Sequence, residues 1–230
     1  MFRRAVDIAM YITPDRYDIS FAVRKLCSDM NRPTKLSVAR LRRLVRFMKG
    51  APDLGVFLRY QNENEAMLVN VYVDGDWSGN VDTCKSTTSG AVRINDHTVE
   101  TWCATQRVVA LSFAESEFYA MGSGCHRGLT VKSVLQEIVD LRTPGEKVEM
   151  KVFTDSDAAR GMIHRQGVGR VRHLTTRYFK AFGPCADPKA WCQSCITEFS
   201  PMLCGAVFWF VRRKSLVDII WCRFCCENQC

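Results

Sequence analysis

The chain has 230 residues, and its 47% share of apolar residues supports a packed core and excludes wholesale disorder. No apolar run reaches the roughly 20 residues of a membrane-spanning helix, and no secretory signal opens the sequence, so we expect an intracellular protein, cytoplasmic or nuclear, with no membrane partner. The net charge of +8 is concentrated in residues 1–60, where 13 basic residues face 5 acidic ones, and this imbalance favours a nucleic-acid partner.

The first segment, residues 1–60, is predicted to be helical. Tyr17 to Met30 favours one helix, and Thr34 to Gly50 favours a second, because its apolar residues recur at the spacing of one helix face. That apolar face comprises Leu41, Leu44, Val45 and Met48. Arginines occupy the other positions, which indicates either contact with nucleic acid or a solvated surface.

The second segment, residues 66–180, is predicted to alternate strands and helices. The expected strands are 68–73, 89–94, 99–103 and 148–154, and the expected helices are 112–126, 129–141 and 157–164. Ser112 and Glu115 have the spacing of a capping box at the start of the first of these helices. This order predicts a mixed α/β layer fold.

Three acids stand where such a fold could build a site. Asp74 and Asp155 end the first and fourth strands, and Glu117 lies one turn into the helix after the third strand. Carboxylates that converge suit Mg²⁺ or Mn²⁺, and paired divalent ions can hydrolyse phosphodiesters. Spacing alone leaves open that these are ordinary turn and helix-surface acids.

The segment also contains a series of motifs in a fixed order. They are Tyr72-Val73-Asp74-Gly75-Asp76-Trp77-Ser78-Gly79, Lys85 to Gly90, Trp102 with Gln106, Val109 to Ala120, Thr154-Asp155-Ser156, and Arg172-His173-Leu174. This series resembles the ribonuclease H domain of copia-type retrotransposon Pol polyproteins. Residues 14–23 and 41–55 resemble the end of the reverse transcriptase domain of the same polyproteins.

The resemblance implies a ribonuclease H-like mixed sheet with flanking helices, preceded by a small helical segment. It implies two-metal hydrolysis of the RNA strand of an RNA–DNA hybrid during retrotransposon replication. Asp74, Glu117 and Asp155 would hold two Mg²⁺ (or Mn²⁺) ions. The expected nucleic-acid contacts are Lys85, Ser86, Gln106 and Arg107. The partners would be the hybrid and the remainder of the Pol polyprotein, and the alternative is an inactive nucleic-acid-binding remnant.

The sequence departs from this family in three places. No paired-Asp polymerase motif precedes residue 60, and Thr175 stands where the family has Asp. The family's last strand, expected to carry a fourth acid, is missing after Lys180. Losing that strand would expose a sheet edge.

Residues 181–230 form a tail that contains eight of the twelve cysteines, all eight within the last 46 residues. Two C-x₂-C pairs, Cys192 with Cys195 and Cys222 with Cys225, are typical of zinc ribbons. The other interpretation is out-of-family translation, after a frameshift or read-through in a decayed element.

Overall fold

The computed structural model describes residues 1–56, 66–80, 83–95 and 97–164. The predictions for the cysteine-rich tail, for Thr175 and for the lost last strand lie outside these residues. The domain boundaries therefore stay predictions.

Three helices and one 3₁₀ turn build the segment at the start of the chain. Helix α1 spans Phe2–Tyr11, the 3₁₀ turn Tyr17–Ile19, α2 Ser20–Ser28 and α3 Lys35–Gly50. They enclose a small apolar core of Val6, Ala9, Ile19, Val23, Leu26 and Leu44. The prediction of α3 is confirmed, and a reciprocal pair of hydrogen bonds between Thr34 and Ser37 caps it.

Two details of the helical prediction were wrong. Helix α1 was not predicted, although Phe2, Val6 and Ala9 have the spacing of an apolar helix face. Val45 was assigned to the apolar face of α3, but its side chain is 43% exposed, while Leu44 is buried. The buried face of α3 is therefore narrower than the apolar face that the sequence pattern predicted.

The second segment forms a four-stranded mixed sheet with helices. Its elements are β1 Leu68–Asp76, β2 Thr87–Ile94, β3 His97–Thr105, α4 Phe113–Arg142, β4 Glu149–Phe153 and α5 Asp157–His164. The strand order is β3-β2-β1-β4, with β1 antiparallel to β2 and parallel to β4. The expected fold class, a ribonuclease H-like mixed sheet flanked by helices, is confirmed.

Helix α4 is one helix of 30 residues, whereas the sequence predicted two helices that break near Gly128. Gly128 does not end the helix but lies inside it, where a side chain would collide with β1. A Cβ added there would lie 2.5 Å from Val71 Cγ2, and one added at Gly124 would lie 2.2 Å from Val73 Cγ1. The two glycines let α4 lie close against the buried side of β1.

The helical segment contacts the sheet. Helix α2 packs against β3, and the Arg24 guanidinium donates a 2.9 Å hydrogen bond from Nη2 to Thr105 Oγ1 at the end of that strand. No helix in the described ranges combines the length and the apolar character needed to cross a bilayer.

Candidate metal centre

The carboxyl ends of β1 and β4 meet at one edge of the sheet, because these two strands run parallel. Asp74 lies in β1 near this edge, and Asp155 follows β4. Glu117 comes from the second turn of α4. One carboxylate oxygen from each of the three residues lies within 4.8 Å of the others. The structure thus brings together the three acids that the sequence singled out.

Gly75 explains how α4 reaches the strand. A Cβ at Gly75 would lie 3.0 Å from the Ser116 carbonyl oxygen and 3.2 Å from the Glu117 nitrogen. Without that Cβ, the backbones approach closely, and the Gly75 N–H donates a 3.2 Å hydrogen bond to Glu117 Oε1. No role was predicted for Gly75, although a glycine inside a strand can indicate such a close approach.

The turn that carries Asp155 is held by its neighbours. The Ser156 N–H donates to Thr154 Oγ1, and the Ala159 N–H donates to Ser156 Oγ, both at 3.2 Å. Thr154 and Ser156 are buried, whereas Asp155 between them is exposed. These bonds fix the backbone on both sides of the carboxylate.

Burial and mutual repulsion shift the titration of two of the acids. Burial, with the charges of Asp74 and Asp155, raises the pKa of Glu117 to about 8. Burial, with the charge of Asp155, raises the pKa of Asp74 to about 6. The Gly75 N–H opposes both shifts by donating to the charged forms. In the absence of a cation the cluster therefore holds protons that isolated carboxyls would lose.

These residues fit a hard divalent cation. Glu117 is fully buried, and its Oε2 has no hydrogen-bond partner in the described part of the chain. An unpartnered buried carboxylate oxygen is costly unless something else satisfies it. Three convergent carboxylates are the donor set that Mg²⁺ and Mn²⁺ prefer.

Glu115 and Asp76, which lie close in sequence to Glu117 and Asp74, make other contacts. Glu115 accepts hydrogen bonds from the Leu111 N–H and the Tyr119 hydroxyl, so it holds the start of α4, although not through the full capping box that was predicted. Strand β1 continues through Asp76, which was predicted to lie beyond the strand. Burial raises the pKa of Asp76, and the charge of Lys25 opposes that rise.

The four expected nucleic-acid contacts separate into two pairs. Ser86 is fully buried and accepts a hydrogen bond from the Ser78 N–H. The Gln106 side-chain amide is buried and donates to Thr88 Oγ1 and to the Ser116 carbonyl oxygen. These two side chains therefore hold the sheet edge together. Lys85 is partly exposed and Arg107 is exposed, so both remain accessible.

A basic flank beside the site was not predicted from the sequence. It consists of Arg24 and Lys25 on α2, which the bond from Arg24 to Thr105 places at the same end of the sheet as the acids. Arg24 and Thr105 are 81 positions apart in the chain. Neither periodicity nor a local motif could reveal a contact over that separation.

Comparison with known proteins identifies relatives, although no protein-family profile matches the chain. The retrovirus-related Pol polyprotein from transposon RE1 of Arabidopsis thaliana is 29% identical over 137 residues, which cover 60% of this chain. The corresponding polyprotein from transposon RE2 of the same plant matches equally well. The chain spans about 9% of the length of each polyprotein.

Two shorter proteins also match. The uncharacterized mitochondrial protein AtMg00810 of Arabidopsis thaliana is 31% identical over 52% of this chain and 49% of its own length. The secreted RxLR effector protein 161 of Plasmopara viticola is 30% identical over 56% of this chain and 91% of its own length. These matches show that the chain is related to retrovirus-related Pol polyproteins of transposons and corresponds to a fragment of such a polyprotein.

Proposed function

We propose that this chain is a ribonuclease H of the copia type, which hydrolyses the RNA strand of an RNA–DNA hybrid. The observation that carries the proposal is the convergence of Asp74, Glu117 and Asp155 within 4.8 Å at the sheet edge. The similarity to retrovirus-related Pol polyproteins of transposons supports it. In a complete element the rest of the Pol polyprotein would be a partner.

The three carboxylates would hold two Mg²⁺ or Mn²⁺ ions. When bound, such ions supply the positive charge that activates water and stabilises the leaving oxygen of a phosphodiester. Asp74 and Glu117 must release their protons to bind, so binding strengthens as the pH rises toward the pKa of Glu117, which is about 8. The Gly75 N–H keeps one Glu117 oxygen in place, and the unpartnered Oε2 is available as a ligand.

The cations of the chain would hold the substrate. Lys85 lies in the loop before β2, and Arg107 lies in the loop after β3. Arg24 and Lys25 add positive charge from α2. Contacts to phosphates give affinity without reading the base sequence. Recognition would therefore depend on the shape of the hybrid and its 2′-hydroxyls.

The test is cleavage of an end-labelled RNA–DNA hybrid by the full chain with Mg²⁺ or Mn²⁺. Asp74→Asn should lower the rate by at least about 100-fold, since even residues that only support metal ligands are worth 10–100-fold. The matched control is Asp157→Asn, because Asp157 is an exposed acid at the start of α5 outside the group of three.

A wild-type rate no higher than that of Asp74→Asn would contradict the proposal. Salt-dependent binding of the hybrid without cleavage would instead support the alternative, an inactive nucleic-acid-binding remnant.

A further inference from the structure

Trp77 follows the strand that carries Asp74, and the candidate metal centre does not explain it. It directly follows β1, three positions after Asp74, and the residue is 47% exposed. The indole Nε1 donates a 3.0 Å hydrogen bond to the Ala110 carbonyl oxygen, in the connection between β3 and α4. The polar edge of the ring is therefore satisfied, while much of its apolar surface remains in water.

The backbone beside Trp77 is fixed. Ser78 adopts a left-handed conformation with φ of 55°, and its N–H donates to the buried Ser86 Oγ. A Cβ added at Gly79 would lie 1.8 Å from Asp76 Oδ2, so the chain folds tightly against that carboxylate. A ring held in this way loses little freedom when it binds a partner.

Exposed apolar and basic residues lie in the two connections that contain Trp77 and Ala110. Val109 and Leu111, on either side of Ala110, are exposed. Lys85 precedes β2 and Arg107 follows β3, so each of the two connections that meet at the Trp77–Ala110 bond carries one accessible cation. An apolar surface between cations matches a nucleic-acid strand, whose charged phosphates alternate with less polar sugars.

We propose that Trp77 packs against a sugar in the minor groove of the hybrid, next to the phosphate held at the metal centre. The proposal rests on the ribonuclease H function proposed above. In a paired duplex the bases stay stacked, so their faces are not available to the ring. The wide, shallow minor groove of an A-like duplex instead exposes its sugars. Trp77 thus sets how the strand lies over the carboxylates.

The experiment measures binding of an RNA–DNA hybrid to the full chain in EDTA, where no cleavage occurs, by fluorescence anisotropy. Trp77→Ala should weaken binding about 5- to 20-fold, the loss expected from exposing roughly half of an indole ring. Trp77→Phe, which keeps an aromatic ring, should recover most of that loss. The slope of log affinity against log salt should stay the same in both variants, because a sugar contact releases no counterions.

Three comparisons make the result decisive. Tyr11→Ala removes an aromatic ring that is 85% exposed on α1, and it should leave the affinity unchanged. Thermal melting of each variant identifies any loss of folding. If the Ala variant does not fold, Trp77→Phe should still bind the hybrid somewhat more weakly than the wild-type chain, and equal affinity would overturn the proposal. Lys85→Ala should lower the salt slope, in contrast to the Trp77 variants.

Unchanged hybrid affinity in Trp77→Ala would overturn the proposal, and so would a loss confined to single-stranded DNA, which would indicate stacking on bases. Because binding is measured without cleavage, these outcomes are independent of the catalytic function. A chain that cleaves hybrids but ignores Trp77 would contradict only this inference.

Discussion

Residues 1–56 and residues 66–164 each enclose an apolar core, but the two regions place their charges differently. The helical region has 12 basic and 5 acidic residues, and its arginines lie around the outside of a small core. The sheet region has 9 basic and 13 acidic residues, and its Glu117 is fully buried at the end of the larger core. Surface cations need little support, whereas a buried carboxylate depends on packing that forces it into place.

That difference predicts where the molecule is sensitive. The sheet region should respond strongly to changes in packing and in pH. The helical region should respond mainly through helix capping and through its charges.

Gly124→Val should destabilise the sheet region most. Its Cβ would meet Val73 Cγ1 at 2.2 Å, and both residues are buried between α4 and β1. Overpacking of a closed core costs typically 1–3 kcal/mol, and we expect a loss of about 3 kcal/mol in the free energy of unfolding by denaturant titration. The control is Gly161→Ala in α5, where nothing lies within 4 Å, and it should be neutral or stabilising. Equal losses in the free energy of unfolding for Gly124→Val and Gly161→Ala would contradict the close packing of α4 on β1.

Glu117→Gln should stabilise the protein at pH 8 in the absence of divalent cations. The pKa of Glu117 is raised to about 8 in the folded state, so the folded chain binds more protons than the unfolded chain between pH 4.5 and 8. Stability therefore falls as the pH rises through this range. The neutral amide removes this loss, which we expect to be worth at least about 1 kcal/mol.

The measurement for Glu117 is the free energy of unfolding at pH 5 and pH 8 in EDTA. Glu137→Gln, on an exposed position of the same helix, is the control and should change little. If Glu117→Gln were less stable than wild type at pH 8, burial and repulsion by Asp74 and Asp155 would not destabilise the charged form of Glu117.

Thr34→Ala should cost about 1 kcal/mol in the helical region, because it removes one partner of the Thr34–Ser37 capping box. The expected readout is lower amide-exchange protection in α3 with unchanged protection in β1. Ser133→Ala, an exposed hydroxyl inside α4, is the control and should not lower stability. Loss of protection in β1 as well would mean that the two regions unfold as one unit.

Arg24→Ala should have the smallest effect, a reduction of about 1 in the slope of log hybrid affinity against log salt, as expected for one lost phosphate contact. Arg4→Ala, on the exposed surface of α1, is the matched control. Equal slopes for Arg24→Ala and wild type would assign Arg24 only to holding α2 on Thr105.

Local pattern was enough to predict most of the elements and the three acids. Alternation in β1 and the positions of Asp74 and Asp155 after apolar strands are visible in the sequence, because strand burial repeats every two residues. The break expected at Gly128 was wrong, because a glycine's low helix propensity is overridden when its missing side chain allows α4 to pack on β1.

The surroundings of the site were harder to predict. From the sequence, Gln106 and Ser86 were expected to contact the substrate. In the structure, their side chains form hydrogen bonds with other residues of the chain. Whether a polar side chain faces solvent or the core depends on how two distant loops meet. The contact of Arg24 with Thr105, which joins the two regions, also depends on residues far apart in the chain, so it could not be predicted from local pattern.

If Asp74, Glu117 and Asp155 form one divalent-cation site, calorimetric titration of the full chain with Mn²⁺ alone should detect it. At pH 7, in two buffers of different ionisation enthalpy, we expect saturable binding with release of protons, because Glu117 must ionise to bind. Asp74→Asn, Glu117→Gln and Asp155→Asn should each abolish that binding, and Asp157→Asn should preserve it. Binding that survives Glu117→Gln, or no binding to the wild-type chain, would contradict a cation site at these three carboxylates.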